Sequence, residues 1–320
     1  MTGQARSVAP TAGLRIALAS WPADYGSPVG DDALAGTTTV VETDVEVPSA
    51  AWAPREVRTP PADVVWFVDG VRRMEARAWL TSDDGVTAPG LVASWAVGAV
   101  RCDGVAVIER CGVQRGLFSA TAERVGLDTP VGSFAACTAH ADTEAGLRNA
   151  LQAAMRAMEL DVAREVAASG DLVFLDGPLR GRTQGRVVGY VKTQQVAYLP
   201  QTLQETVTRL GVGQRTPLFL TSSDIWQHWS WYLRLSAVGN HPWEAVVRCE
   251  MPKDGITLPA AVALADEVTA TLPRYASQPH RDARAPQNLY PIGGLERCLR
   301  HRLGSAAVIA RHLRRAVVAH

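Results

Sequence analysis

The sequence predicts a mixed α/β fold, in which helices flank a β-sheet. Short runs of β-branched and aromatic residues alternate with longer segments whose apolar residues recur every three or four positions. In addition, 47% of the 320 residues are apolar and 20% are charged, which is typical of a folded globular protein. A chain of this length forms one large domain or two of ordinary size.

The first part of the chain differs in composition from the rest. Residues 1–60 are rich in Ala, Pro, Thr and Gly, and we expect a loosely ordered arm or an accessory layer there. The main domain is expected over residues 61–320. It begins with strands at 64–80, 90–100 and 104–110, and the short connections between them predict an antiparallel meander.

A long helix is predicted over residues 143–168, because its apolar residues are spaced at three and four. Strands at 172–176 and 187–192 follow. This order, β-β-β-α-β with further α/β elements after it, is that of the ribonuclease H-like core, in which the first and fourth strands are neighbours and carry acidic residues. The remaining predictions are a helix at 203–210, strands at 217–220, 229–235 and 245–249, a helix at 259–272 and a basic helix at 294–318.

Two Asp-Gly steps each follow a run that is typical of a buried strand. Asp69-Gly70 follows residues 64–68, and Asp176-Gly177 follows residues 172–175. Either step alone is a common turn dipeptide. However, burying a carboxylate is costly unless it is paired or holds a metal. If the two strands are adjacent and parallel, both carboxylates meet in one crevice, where oxygen ligands suit Mg²⁺ or Mn²⁺.

A third acid is expected from the long helix, which offers Glu159 and Glu165. With about 100° per residue, Glu165 lies near the middle of the apolar stripe and Glu159 at its edge. An edge position suits a carboxylate that reaches a crevice, whereas Glu165 could lie beyond the end of the sheet. The angle alone leaves both residues open. Three such carboxylates could hold two divalent ions that activate water against a phosphodiester.

Four short segments, taken in order and spacing, resemble the NurA nuclease family from about residue 60 to the C-terminus. They are Asp69-Gly70, residues 155–160, residues 172–179 and residues 188–193, the last with a Gly-x-x-Lys pattern that ends at Lys192. The resemblance implies a ribonuclease H-like, Mn²⁺- or Mg²⁺-dependent nuclease that hydrolyses DNA ends. It also implies a homodimer that works with a hexameric HerA-type ATPase, in end resection or in defence against foreign DNA.

The resemblance further implies site residues. The metal ligands would be Asp69, Glu159 and Asp176, so Glu159 is favoured over Glu165. Archaeal members of the family have a Tyr-Pro near the C-terminus, followed by a helical His. Leu289-Tyr290-Pro291 fits the first part, which makes Tyr290 a catalytic candidate together with Lys192.

The expected His is not present at its position, about eight residues after Tyr290. This chain has Arg297 and Cys298 there, and His301 follows one turn later. Arg297 or His301 would then stabilise charge in place of the His, or the role is absent.

Any contact with DNA must come from a local basic patch, because Lys and Arg (32) balance Asp and Glu (32). The final helix supplies Arg297, Arg300 and His301, which could follow a DNA backbone or form an ordinary solvated surface. Lys192 could neutralise a phosphate, or it could be a surface lysine whose stem lies along apolar surface. Arg73 could contact a phosphate or form a charge pair with Glu75 on the same strand face.

Several function classes are excluded by absent patterns. No apolar run reaches the ~20 residues of a membrane span, and the five scattered cysteines indicate reduced thiols in a cytoplasmic protein. No Gly-x-x-x-x-Gly-Lys-Ser/Thr motif is present, so an ATPase partner would have to supply energy. Two alternatives stay open: a non-catalytic ribonuclease H-like module that binds DNA or recruits a partner, and an RNA-directed or transposase-type nuclease.

Overall fold

A computed structural model gives the architecture of the chain. It describes residues 14–18, 39–121, 125–179, 183, 185–192, 198–237, 242–278, 280 and 285–318. Most of the predicted N-terminal arm therefore lies outside the described residues. The parts of it that are described pair with the main sheet through short strands.

The described elements, in chain order, are as follows. The strands are β1 (Leu14–Leu18), β2 (Val40–Glu42), β3 (Arg55–Glu56), β4 (Val65–Ser82), β5 (Thr87–Asp103), β6 (Val105–Ser119), β7 (Leu127–Thr129), β8 (Gly132–Thr138), β9 (Leu172–Asp176), β10 (Val187–Val191), β11 (Gln214–Arg215), β12 (Phe219–Ser222), β13 (Gln227–Arg234) and β14 (Val246–Pro252). The α-helices are α1 (Glu144–Ala167), α2 (Gln201–Thr208), α3 (Leu258–Thr271), α4 (Tyr290–Arg302) and α5 (Ala306–Val318).

The sheet is mixed, and its central order is β14-β10-β9-β4-β5-β6. Strands β4, β5 and β6 form the predicted antiparallel meander. After α1 the chain enters β9, which lies parallel to β4, and β10 lies parallel to β9. This is the ribonuclease H-like arrangement, so the predicted fold class is confirmed. Among the described residues, no helix is both long enough and apolar enough to cross a membrane.

Helices cover both faces of the central sheet. Trp66 and Val68 of β4 pack with α1, whereas Val65 and Phe67 pack with α3 and α4. This division follows from the alternation of side chains along a strand. Asp69 continues the series of Val65 and Phe67, and it therefore faces α4.

The two Asp-Gly steps differ in their structural context. Asp176-Gly177 ends β9, and Gly177 has a φ of +98°. In contrast, β4 continues through Asp69-Gly70 as far as Ser82, because Gly70 still pairs with Val97 of β5. The strand predicted over residues 64–80 therefore runs through Asp69-Gly70, and the apolar run at 64–68 is only its first part.

The third strand of the meander is longer than predicted. It extends past Arg110 to Ser119 and includes Gly112 and Gly116. Gly116 allows a close approach by β8, since a Cβ there would lie 2.6 Å from the Cys137 Sγ. Gly116 thus serves the packing of β6 against β8.

The predicted basic helix over residues 294–318 is two helices, α4 and α5, in the structure. They are separated around Gly304, which has a φ of +78°. A residue in this left-handed conformation ends many helices, and it is usually Gly. The hairpin of β7 and β8 was not predicted at all, because its strands are short and only weakly apolar.

Candidate metal centre

Three carboxylates converge beside the central strands. Asp69, Asp176 and Glu296 each offer an oxygen atom within 4.8 Å of the others. The parallel pairing of β4 and β9 places Val68 opposite Leu175, so Asp69 and Asp176 follow side by side. Glu296 comes from α4 on the face toward which Asp69 points.

Close packing of α4 against β5 positions Glu296. Gly98 is the register partner of Asp69. A Cβ at Gly98 would lie 3.0 Å from the Leu295 Cδ1 and 3.2 Å from the Leu299 Cδ2. The absence of a side chain at Gly98 therefore lets α4 approach the strand that adjoins Asp69.

Asp69 is the most strongly perturbed group of the site. Its side chain is 7% exposed; Oδ1 accepts a hydrogen bond from its neighbour's backbone N–H, and Oδ2 has no hydrogen-bond partner. Burial raises the pKa of Asp69 well above its usual value, the nearby Asp176 raises it further, and the Lys192 ammonium opposes the shift. Glu159 and Glu296 also raise it. A buried carboxyl among other carboxylates requires a proton or a cation.

The residues present fit a hard divalent cation. Mg²⁺ and Mn²⁺ prefer carboxylate oxygens. Asp69 supplies a buried oxygen without a hydrogen-bond partner, and Asp176 and Glu296 supply two further carboxylates. The identity of the cation is not fixed by this donor set.

Glu159 approaches from the opposite face of the sheet. Its carboxylate lies against the backbone at Gly70, where a Cβ would be 2.5 Å from the Glu159 Oε1. Burial, and then the Asp176 charge, raise the pKa of Glu159 to about 8, against the opposing effect of Arg156 and Arg72. Glu159 thus adjoins the site, although it is not one of the three carboxylates within 4.8 Å of each other.

The other helical candidate is placed differently. The Glu165 side chain is 56% exposed, and its Oε1 accepts a hydrogen bond from the Arg110 Nε at 2.6 Å. It lies in a surface ion pair, and such pairs contribute little to stability.

Lys192 connects the site to the segment that precedes α4. Its Nζ donates to the Asp176 Oδ2 at 2.6 Å and to the Asn288 Oδ1 at 3.0 Å. Asn288 is fully buried. Nearby, the Tyr190 hydroxyl donates to the Gln287 carbonyl oxygen at 2.6 Å. These bonds fix the entry to α4 relative to β9 and β10.

A buried anchor holds the turn after Asp176. The Leu179 N–H donates to the Glu250 Oε1 at 2.5 Å, and Arg248 forms a buried ion pair with the same carboxylate. Gly189 leaves room for this contact between Leu179 and Glu250, because a Cβ there would lie 2.9 Å from the Leu179 Cγ and 3.0 Å from the Glu250 Cγ. Sequence reasoning missed Glu250, which lies on a different strand and far along the chain.

The predicted DNA-binding residues lie around the end of α4. The Arg73 Nη2 is 2.8 Å from the Glu75 Oε1, and Arg73 also donates to the Leu303 and Gly304 carbonyl oxygens. These contacts tie β4 to the end of α4, so Arg73 has a structural role in the free chain.

The remaining predicted residues are on α4 itself. The Arg300 Nη2 lies 3.6 Å from the Glu296 Oε2, and its side chain is mostly exposed. His301 is exposed, and Tyr290 is 37% exposed at the first turn. Arg297 lies on the same helix, with a guanidinium nitrogen 4.0 Å from a Cβ built at Gly294.

Glu296 was missed because it stands in a basic segment. The sequence did contain a signal for it: Ile292, Leu295, Glu296 and Leu299 have the spacing of one buried helical stripe. A charged residue at an otherwise apolar position of a helix is a candidate ligand, because a buried charge must be compensated.

No protein-family model matches the chain, and no curated protein sequence matches it. Among solved structures, the chain is similar to the NurA nuclease from Sulfolobus solfataricus. The sequence identity is 12%, the TM-score is 0.48, and the match covers 78% of this chain and 82% of that one.

Proposed function

We propose that this chain is a divalent-metal-dependent deoxyribonuclease. The proposal rests on the buried Asp69 Oδ2, which has no hydrogen-bond partner. Asp69, Asp176 and Glu296 each offer a carboxylate oxygen within 4.8 Å of the others. The position of Asp176 supports it, because Asp176 ends β9 and ligands bind at the carboxyl ends of parallel strands in α/β sheets. The sequence motifs that resemble the NurA family support DNA as the substrate.

Each residue has a defined part in the proposed mechanism. Asp69, Asp176 and Glu296 hold the cation, and Glu159 is a further ligand candidate from the α1 side. When bound, Mn²⁺ or Mg²⁺ lowers the pKa of water and stabilises the leaving oxygen of the phosphodiester. Lys192 orients Asp176 and brings a positive charge beside the phosphate. Arg297, Arg300 and His301 offer exposed or partly exposed cationic groups for the DNA backbone, and Tyr290 lies at the start of the same helix.

The direct test compares carboxylate variants in one assay. Asp69→Asn and Glu296→Gln remove a ligand charge with little change in shape, and Asp161→Asn is a matched control because that side chain is 74% exposed. With Mn²⁺, the unchanged protein and the control should cleave single-stranded or linear duplex DNA. The two site variants should lose at least about 100-fold in rate and in Mn²⁺ affinity. An unchanged protein that leaves both DNA substrates intact, even with its ATPase partner, would overturn the proposal.

The partners are a further part of the proposal. We infer a homodimer and a HerA-type hexameric ATPase from the sequence resemblance, and the missing nucleotide-binding motif fits an external energy source. Light scattering of the purified chain tests the first inference. Co-purification with such an ATPase tests the second, and a monomer without ATPase binding would contradict both.

A non-catalytic module is the second candidate function. The Lys192 ammonium already neutralises part of the acidic site, and the raised pKa values of Asp69 and Glu159 allow both to hold protons without a metal. Calorimetry decides between the two functions. DNA binding without any Mn²⁺ binding would favour the module over the nuclease.

A further inference from the structure

A cavity of about 420 Å³ lies between the first half of α4 and the turn from β5 to β6. Leu295 lines it and also packs over Gly98, the register partner of Asp69. Val100, another lining residue, is two positions along β5 from Gly98, which corresponds to about 7 Å. Leu295 and Val100 therefore form the edge of the cavity that lies nearest to the candidate metal centre.

The walls of the cavity combine rigid aromatic surface with a few polar groups. The Tyr275 ring packs edge-on against Phe67, with centroids 4.9 Å apart, and Phe67 in turn stacks on Phe174 at 5.2 Å. This row of rings fixes Tyr275 in place. Tyr290 adds a second aromatic ring at the opening, and Arg274 and Asp63 supply charged groups to the lining.

We propose that this cavity receives one unpaired nucleobase of a DNA strand whose phosphodiester lies at the carboxylates. The inference rests on the proposed nuclease function. A nucleobase is flat and aromatic with a polar edge, so it matches Tyr275 and Tyr290 on its faces and Arg274 and Asp63 on its edge. Only a base that is out of the duplex exposes both its faces and its pairing edge.

The spacing along α4 fits this assignment. Tyr290 lines the cavity, and Glu296 follows it by six residues, which is about 9 Å along the helix axis. A strand therefore needs only one or two nucleotides to reach from the cavity to the metal centre. We infer that the chain prefers single-stranded or frayed ends, since a paired terminal base cannot enter.

A base is a better occupant than an apolar partner surface. The charged groups of Arg274 and Asp63 would lose water against an apolar surface without gaining hydrogen bonds, and that loss is unfavourable. A base edge offers them both donors and acceptors.

Gly294 provides a direct test, because it lines the cavity and a Cβ there meets only the Arg297 Nη2, at 4.0 Å. Gly294→Leu should fill the cavity without forcing backbone atoms apart, and Gly294→Ala adds only one methyl group. The probe is a short oligonucleotide with a single 2-aminopurine, scanned through each position near one end. Binding is measured with Ca²⁺ in place of Mn²⁺, so that a cation is present at the carboxylates, and only samples whose oligonucleotide stays intact are scored.

A second pair of variants keeps the test decisive if Gly294→Leu misfolds. Val105 is 71% exposed and lines the cavity, whereas Val86 is 63% exposed at the other end of β5. Val105→Asp brings a negative charge to a lining position, and Val86→Asp adds the same charge elsewhere. Mn²⁺ binding by every variant checks that the carboxylate site is intact.

In the unchanged protein, the 2-aminopurine fluorescence should be quenched at one or two neighbouring positions only. Gly294→Leu and Val105→Asp should abolish this quenching and weaken binding about 5- to 150-fold, the range for one stacked base. Gly294→Ala and Val86→Asp should bind as the unchanged protein does.

Equal binding and quenching by all four variants would overturn the inference. A change of oligomeric state in Val105→Asp, with DNA affinity unaltered, would also overturn it and assign the cavity to a second copy of the chain. Failure of the nuclease proposal is seen separately, as a lack of Mn²⁺-dependent cleavage by the unchanged protein.

Discussion

Glu159 should destabilise the metal-free protein as pH rises. Its pKa is about 8 in the folded chain, mainly because it is buried, whereas an ordinary Glu has a value of 4.5. Below pH 4.5 both the folded and the unfolded chain hold the proton, and no stability is lost. Between 4.5 and 8 the unfolded chain releases the proton that the folded chain keeps, so the free energy of unfolding falls. The full loss is about 5 kcal/mol, and about 3 kcal/mol of it falls between pH 5.5 and 8.5.

The perturbation that tests this reasoning is Glu159→Gln, which cannot ionise. Urea unfolding in EDTA at pH 5.5 and 8.5 gives the free energy of unfolding of each variant. Asp69 also has a raised pKa, and most of its own slope persists in every variant because burial and Asp176 raise that pKa more than Glu159 does. The difference between variants therefore reports mainly on Glu159.

Relative to the unchanged protein, Glu159→Gln should gain about 3 kcal/mol between these two pH values. Glu165→Gln is the matched control on the same helix and should show no such gain, because Glu165 is 56% exposed. If Glu159→Gln and the unchanged protein lose stability in parallel, Glu159 is ionised in the folded chain and the reasoning is wrong.

Three further substitutions test the packing around the site. Gly70→Ala should lower the free energy of unfolding by about 1–3 kcal/mol in a denaturant titration, because its Cβ would lie 2.5 Å from the Glu159 Oε1. An unchanged unfolding midpoint would contradict this contact. Glu250→Gln should cost about 3–5 kcal/mol by the same measurement, since it leaves the buried Arg248 cation without its anionic partner. Gly304→Ala should cost about 1–2 kcal/mol, because a side chain disfavours the φ of +78° between α4 and α5; a loss within experimental error would refute that explanation.

The central topology could be predicted because local patterns determine it. The apolar runs before Asp69 and Asp176 are dense in β-branched and aromatic residues, and the stripe of α1 has an unambiguous helical spacing. Once the order β-β-β-α-β is known, few sheet topologies are compatible with it. The parallel pairing of β4 with β9 belongs to one of these few topologies.

The full set of site carboxylates could not be predicted in the same way. Glu296 joins Asp69 only because α4 packs closely over Gly98, and that contact joins distant parts of the chain. The resemblance indicated Glu159, which lies on the other side of Gly70. The choice between helices was therefore a question of tertiary packing, which periodicity does not specify.

The break between α4 and α5 did have a local signal. Gly304 followed by Ser305 is a common way to end one helix and begin another. The many basic residues on both sides suggested one continuous surface, and this masked the break.

The most direct test of the metal centre is the anomalous scattering of Mn²⁺ in crystals of the unchanged protein. We expect a manganese peak about 2–2.5 Å from carboxylate oxygens of both Asp69 and Asp176, with Glu296 in the same coordination group. The peak should disappear in Asp69→Asn. An active nuclease whose manganese binds elsewhere, or binds without Asp69, would contradict the account.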